Sequence, residues 1–513
     1  MEQYILAHDL GTSGNKATLY HIDGTLAASM VVEYETYYPH SGWVEQDPED
    51  WWRAVCISTK RLLEQVGGRP ESILCVCFSG QMMGCLIVDK LGKPLRPMIT
   101  WADIRSAKQE AEMIEIVGME KVYQITGHRA SASYSAAKLL WIRENEFEVY
   151  QRAYKMIHAK DFIIYCLTGR FVTDYSDASS TNLFDLKRKE WSQEICEALN
   201  IPMDLLPEVH ASADIAGRVT ASAAADCGLL EGTPVVIGGG DGSCACVGAG
   251  VVSDADAYCV LGTSSWISTA SKQPIYDRKM RTFNWIHLDP NLYTPCGTMQ
   301  AAGMSYRWYR DQLCEAERRM AEKTGENVYD LMNTAAENTC PGSGGVLFLP
   351  YLLGERSPRW NHEARGAFLG MGVTTRKSEL TRAVMEGIGY NLKVILDILD
   401  KQHPIEALKL IGGGAKGKLW SQILADIWQR PLMIPMYLEE ATSLGAAVCG
   451  GVGIGLFSDY TVVQKFNRTM EIIQPNPMNK DCYAMLYKAF NQAYQALIPV
   501  YSSLAEFRRK IGG

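Results

Sequence analysis

Two related α/β domains facing each other across a cleft are predicted from three observations. The tetrapeptide Leu-Gly-Thr-Ser occurs twice, at Leu10–Ser13 and at Leu261–Ser264, once near the start of each half. Short apolar runs alternate with helical patterns along most of the chain, as α/β folds require. The 513 residues also exceed one core, since single cores rarely grow past roughly 250–300 residues, so two to four domains are expected. No low-complexity tract separates the halves. The division is placed near residues 243–250, giving units of residues 1–245 and 246–513.

The first 35 residues read as a three-strand meander: Tyr4–His8, Lys16–Ile22 and Thr25–Tyr34, with Asp23-Gly24 as the second turn. A helix follows, with Asp47 as its N-cap and Pro48 in its first turn. Ile73–Ser79 and Val235–Gly238 are apolar runs short enough for buried strands, ended by Gly80 and by Gly238-Gly-Gly-Asp-Gly242. The second half opens with a strand ending at Leu261, and Trp266–Ala270 alternates as its partner. Glu379–Asp400 reads as a long, mostly buried helix, Ala407–Ile411 as a strand, and Pro341–Gly345 as a loop.

Bulk properties exclude several classes. With 50 Lys and Arg against 58 Asp and Glu the net charge is −8, and no basic block marks a nucleic-acid surface. No apolar run approaches the ~20 residues of a membrane span, and the first residues lack the pattern of a signal peptide. The fifteen cysteines form no Cys-x-x-Cys pair and lie in apolar runs, so they are expected as free thiols in a cytoplasmic protein. A homodimer is compatible with this composition, which does not set the oligomeric state.

A Gly-Thr-Ser hairpin turns backbone N–H groups and hydroxyls towards one point, a geometry suited to phosphate oxygens. Two hairpins facing each other would hold a polyphosphate from both sides, which suggests a nucleotide-handling enzyme. Asp9 ends the first strand directly before its hairpin, where a Mg²⁺ ion bridging phosphates would need a carboxylate. Asp241 ends a later strand between two glycines, where a carboxylate can accept the proton of an attacking hydroxyl. Each aspartate, taken alone, also fits a residue that stabilises its own turn. Gly412-x-Gly414-x-x-Gly417, with Glu439 further on, mimics a dinucleotide fingerprint and keeps a dehydrogenase as an alternative. That reading leaves both hairpins unexplained. No Gly-x-x-x-x-Gly-Lys-Ser/Thr loop is present, so any ATP site is of another type.

Several longer motifs, in order, resemble the FGGY carbohydrate kinases and most of all their xylulokinase members. They are Asp9–Gly14, Gly42–Trp52, Gly80–Gly84, the set Ser133, Ser135, Lys138 and Trp141, Ser176–Ser180, and Gly366–Met371 with Glu379–Glu386. The resemblance implies two actin-like (ribonuclease H-like) domains with ATP between them, and γ-phosphoryl transfer to a hydroxyl of a small sugar such as a ketopentose. It implies Asp241 as catalytic base and Asp9 as the residue organising Mg²⁺. Gly11, Thr12, Ser13, Gly262 and Thr263 would line the phosphates, and Gly303, Gly413 and Gly414 the adenosine. Met82, Met83, Asp103, Asp241 and Gly242 would face the sugar, Asp103 being equally suited to capping the following helix. Two positions depart from the xylulokinase pattern: Met83 stands where those enzymes carry His, and Gly242 where they carry Asn. Other acceptors therefore stay open, namely L-xylulose, ribulose, gluconate or a tetritol.

Overall fold

The computed structural model of the chain describes residues 2–511. In the first half β1 (Tyr4–Leu10), β2 (Gly14–His21) and β3 (Leu26–Glu33) form the expected meander, turning at Gly24 with φ +85°. α1 (Pro48–Gln65) begins where Asp47 Oδ1 accepts the Glu49 N–H at 3.0 Å. β4 (Ile73–Gly80) runs parallel to β1. After α2 (Ser135–Asn145), α3 (Ala159–Thr168) and the single turn α4 (Tyr175–Ala178), β5 (Ile215–Arg218) pairs antiparallel with β6 (Pro234–Gly240). β6 lies parallel to β4 and runs straight into α5 (Asp241–Gly248). The sheet order is β5-β6-β4-β1-β2-β3.

The second half repeats this plan. β7 (Ala257–Leu261), β8 (Ser265–Thr269), β9 (Phe283–Ile286) and β10 (Tyr293–Met299) give antiparallel pairs β7–β8, β8–β10 and β9–β10. α6 (Gly303–Leu313), α7 (Val328–Glu337) and α8 (Lys377–Asp400) precede β11 (Leu408–Ile411), which is parallel to β7. Then come α9 (Lys418–Trp428), β12 (Leu432–Pro435), α10 (Ala441–Gly453) and β13 (Thr469–Ile473). The sheet order is β9-β10-β8-β7-β11-β12-β13. Three antiparallel strands followed by two parallel ones, β3-β2-β1-β4-β6 and β10-β8-β7-β11-β12, recur in both halves. Antiparallel pairs in the second sheet rule out the all-parallel doubly wound sheet that the dehydrogenase reading of Gly412–Gly417 requires.

The halves exchange cover. α10 packs on β1, β4 and β6 of the first sheet, burying Leu444, Ala447, Val448 and Cys449 against Ile5, Ala7, Cys75, Cys77 and Val236. α5 lays Ala245 and Cys246 against Tyr258 and Ile411 of the second sheet. The two helices touch backbone to backbone, because a Cβ on Gly445 would overlap the Cys244 carbonyl and one on Gly248 the Ala441 carbonyl. The expected division between residues 245 and 246 thus falls inside α5, in the tightest packing between the halves. All fifteen cysteines are free, most of them buried as small apolar groups.

Gly445→Ala should lower stability by at least about 2 kcal/mol, because a methyl group meets backbone that cannot rotate away. Gly372→Ala, with nothing within 4 Å of its added carbon, should change stability by no more than about 0.5 kcal/mol. Thermal unfolding of the two variants checks the difference.

Candidate active site

Parallel pairing brings two carboxylates to one edge of the first sheet. Asp9 on β1 stands opposite Ser79 on β4, and Ser79 stands opposite Gly239 on β6, two residues before Asp241. The Ser79 hydroxyl donates to Asp9 Oδ1 at 2.8 Å, and the Gly242 N–H donates to Asp241 Oδ1 at 2.7 Å. Burial raises the proton affinity of both groups. For Asp241 burial comes first and the negative charge of Asp9 second, lifting its pKa to about 7. For Asp9 the Ser79 hydroxyl and the Lys16 ammonium oppose the rise without cancelling it. Two close carboxylates with raised affinities are a site where a positive ion would relieve repulsion.

The two hairpins are braced in the same way. In the first, the Tyr34 hydroxyl donates to the Gly11 carbonyl and Gln46 Nε2 to the Thr12 carbonyl at 2.5 Å. In the second, the Gly303 and Met304 N–H groups donate to the carbonyls of Gly262 and Thr263 at 2.9 and 3.0 Å. With these carbonyls tied back, the tips are left to present donors. Each threonine hydroxyl accepts from a neighbour, Thr12 from Trp101 Nε1 at 3.0 Å and Thr263 from Arg307 Nη2 at 2.9 Å. Each keeps its own hydrogen to donate. Ser13 and Thr263 lie exposed at the tips, and Gly11, Thr12 and Gly262 are half-buried.

Gly262, Thr263, Gly303, Gly413 and Gly414, singled out from the sequence as nucleotide contacts, line one cavity of about 450 Å³. A side chain at Gly303 or Gly414 would collide with Gly262 O or Leu261 Cγ, each 2.5 Å from the added carbon. Gly413 is different: its added carbon meets only Glu439 Oε1 at 3.6 Å, so bare backbone faces the cavity. Sequence reasoning missed the walls, Tyr306, Arg307, Asn333, Lys416 and Trp420. Tyr306 and Trp420 each lie on a helix one or two turns past a glycine loop, and carrying the helical period on from those loops would have found them. Glu439, the ribose-type acid of the dinucleotide pattern, pairs instead with Lys416 at 2.9 Å.

The opposite side of the carboxylate pair is apolar and aromatic. Met82 is buried with Phe283, Trp285 and Cys296, and Met83 packs half-buried against them. Met82 lies over Gly240, whose added carbon would be 2.6 Å from the thioether sulfur. An added carbon on Gly242 would be 2.9 Å from Trp285 Cζ3, so the indole fills the space that a side chain at Gly242 would need. His128, stacked on Phe283 and hydrogen-bonded to the Tyr134 hydroxyl at 2.9 Å, closes the wall as a neutral ring whose pKa burial lowers to about 3.

The N-cap position of the next helix is Ser106, a residue without a side-chain capping bond, and Asp103 lies outside it. Its carboxylate is fully buried, paired with Arg105 at 2.6 Å and accepting the Val44 N–H at 2.6 Å, so both oxygens are spent on the fold. Arg105 in turn lies 3.8 Å over the Trp43 ring.

The model of the N-terminal domain of the FGGY family of carbohydrate kinases matches residues 4–248, and that of its C-terminal domain matches residues 257–454. The chain belongs to the FGGY family of carbohydrate kinases. A xylulose kinase of Staphylococcus epidermidis is 33% identical over 499 residues, 96% of this chain and 97% of that one. A gluconokinase of Bacillus subtilis is 30% identical over 512 residues, 99% of each. Solved structures of a gluconate kinase and of a ligand-bound xylulose kinase, both from Lactobacillus acidophilus, each superpose with a TM-score of 0.91 at 28% identity, covering 98% of this chain and all of theirs. The protein is a sugar kinase with the two-domain, actin-like architecture that the motifs implied.

In this FGGY kinase Gly413→Val should keep the melting temperature, since the new side chain projects into open space, and raise the KM for the nucleotide at least about tenfold. Steady-state kinetics at saturating sugar, beside a thermal melt, check this.

Proposed function

We propose that this kinase transfers the γ-phosphoryl group of ATP to a hydroxyl of a ketopentose such as xylulose. The observation that carries the reading is the end-to-end similarity to xylulose kinases, 33% over 96% of the chain in the Staphylococcus epidermidis enzyme. The pairing of Asp9 with Asp241 at one sheet edge supplies the chemistry. A second reading, gluconate as acceptor, is favoured by the gluconokinase of Bacillus subtilis at 30% identity and by the Lactobacillus acidophilus structure.

ATP fits the cavity of about 450 Å³, with aromatic rings for the base and bare glycine backbone beneath. Thr12 and Thr263 donate their hydroxyl hydrogens to phosphate oxygens, and Arg307 and Lys416 add positive charge. Asp9 would hold Mg²⁺, a hard cation that prefers oxygen ligands and, when bound, offsets charge on the phosphates. The sugar lies against Met83 and Trp285. Asp241 orients the acceptor hydroxyl and takes its proton as that oxygen bonds to the γ-phosphorus and the bond to ADP breaks. Lys16 donates to the Glu439 carbonyl at 2.9 Å and pairs with Glu440 at 3.3 Å, linking the halves beside the cleft whose closure excludes water. Fifteen free cysteines suit a reducing compartment, and the reaction is placed in the cytoplasm.

A panel of xylulose, L-xylulose, ribulose, gluconate and a tetritol, read by ADP release, tests the acceptor. Xylulose should give the highest kcat/KM, and a higher value for gluconate would replace it. Asp241→Ala should bind ATP normally and lose about 10²–10⁴-fold in sugar phosphorylation. A base works only when unprotonated, so with its pKa near 7 the wild-type kcat/KM should fall about tenfold per pH unit below 7 and level off above it.

A further inference from the structure

The Ser176–Ser180 segment is a matched motif to which the reaction as described gives no part. It spans α4 and the two residues after it, and every serine in it is fully buried. The Ser176 hydroxyl accepts the Gly240 N–H at 2.9 Å, immediately before Asp241. The Ser180 hydroxyl accepts the Met83 N–H at 3.1 Å. Between them, the Ser179 hydroxyl accepts the N–H of Ile286, next to Trp285 in β9. One turn of helix thus grips the strand end carrying the base, the loop carrying Met83 and the strand carrying the aromatic wall.

Its rigidity comes from beneath. Lys160, fully buried on α3, places its ammonium 2.7 Å from Asp161, 3.0 Å from Asp174 and 3.4 Å from Asp177. Asp174 accepts from the Ser176 N–H at 2.8 Å and from its hydroxyl, so the serine that holds Gly240 has its own hydrogen fixed by that carboxylate. Asp177 pairs with His158 Nδ1 at 3.1 Å, and His158 Nε2 lies 3.1 Å from the Ser135 hydroxyl, which donates to the Gly84 carbonyl at 2.7 Å. The spacing of His158, Asp161 and Asp177 would suit a metal ion, but the cation among these carboxylates is Lys160 itself. Burial alone would lower the pKa of Lys160, and the three carboxylates outweigh it and hold the ammonium charged. Met83 needs such a grip because its backbone is left-handed, φ +65°, a conformation costly for a residue with a side chain. Lys138 secures the other side of that peptide by donating to the Met83 carbonyl at 2.8 Å.

From this we infer that Ser176 and Ser180 are positioning residues with divided duties. Ser176 sets where the Asp241 carboxylate stands relative to the acceptor hydroxyl, and Ser180 sets where the Met83 wall stands relative to the sugar. The inference rests on the assignment of Asp241 as base and Met83 as sugar wall. A misplacement of about 1 Å at a reacting centre can cost about 10²-fold, so losing one of these hydrogen bonds should be visible in turnover. The duties differ because a shifted base slows the chemical step after binding, whereas a shifted wall weakens binding of the sugar.

The test uses the full-length enzyme with ATP and whichever panel sugar gives the highest ADP release. Ser176→Ala should lower kcat about 10- to 100-fold with the sugar KM within about threefold of wild type. Ser180→Ala should raise the sugar KM about tenfold or more with kcat within about threefold. The KM for ATP should stay unchanged in both. Ser192→Ala, which removes a helix cap away from the cleft, is the control for a purely structural serine and should lower only the melting temperature. The cysteine variants Ser176→Cys and Ser180→Cys, close in volume and weaker as acceptors, should show the same division with smaller amplitude, and they decide the matter where an alanine variant does not fold. Variants that match the Ser192→Ala pattern, or that change kcat and KM together in the same proportion, overturn the proposal. If wild type releases no ADP with any sugar, or Asp241→Ala turns over normally, the underlying reading fails instead.

Discussion

Two carboxylates that repel each other, held at the ends of strands one strand apart, are the constraint from which much of this structure follows. Neighbouring strands lie about 4.8 Å apart and β4 stands between β1 and β6, so Asp9 and the end of β6 are separated by roughly two such spacings, close enough for the charge of one to act on the other. Keeping both side chains there raises their proton affinities and opposes folding. The surroundings offset this without removing it: Ser79 bonds to Asp9, Gly242 to Asp241, and Lys16 lies near Asp9. A carboxylate pair so placed favours a positive charge beside it, as the proposed reaction requires.

That constraint also explains why the two halves exchange helices. In the proposed reaction a base at Asp241 meets a phosphate carried by the other half, which calls for a junction stiff near Asp241 and free to swing elsewhere. α5 starts at Asp241 and packs on α10 through glycines that admit no side chain between the backbones. Contact at that distance is sensitive to small displacements and fixes the start of α5 against both sheets. The linkage through Lys16, Glu439 and Glu440 is polar and partly exposed by contrast, a weaker tie than the packed glycines.

What the residues disclosed in advance was mostly local. The meander, the Asp47 cap and the buried strands follow from alternation, turn chemistry and capping, all of which act within a few residues. The hairpins were legible for the same reason, since a glycine hairpin is a local device; Gly262 and Thr263 of the second line one cavity with Gly303, Gly413 and Gly414, positions named from the family resemblance. Three features were not legible. The overlap of α5 with α10 joins residues about two hundred positions apart, so a boundary drawn from composition cut through a helix. Trp285 lies in β9, far from Gly242 in sequence, and nothing near Gly242 says that an indole fills its side-chain space. At Asp103 a sugar contact taken from the family resemblance and a helix cap fit the sequence equally well, and its burial against the Arg105 guanidinium, which lies over Trp43, comes from packing across elements.

The two sides of the cleft are built from different materials, and this bears on why relatives named for xylulose and for gluconate are similarly close. Around the cavity proposed for the nucleotide, much of the surface is backbone: Gly262, Gly303, Gly413 and Gly414 touch one another or the cavity, and side chains at Gly303 and Gly414 would collide with neighbours. Such a surface can hardly be altered by substitution without losing the packing behind it. On the side proposed for the acceptor the surface is side chain: Met83, Trp285, Phe283 and His128 meet across elements. Each can be exchanged for a residue of similar volume while the sheets stay in place. The thioether at Met83 and the lack of a side chain at Gly242 offer fewer hydrogen-bonding groups on the proposed acceptor side than His and Asn would, and they leave the carboxylate pair untouched. On the proposed assignment, phosphoryl transfer and acceptor choice rest on different groups of this fold, with the buried Lys160 cluster and the serines above it as the frame beneath the sugar wall.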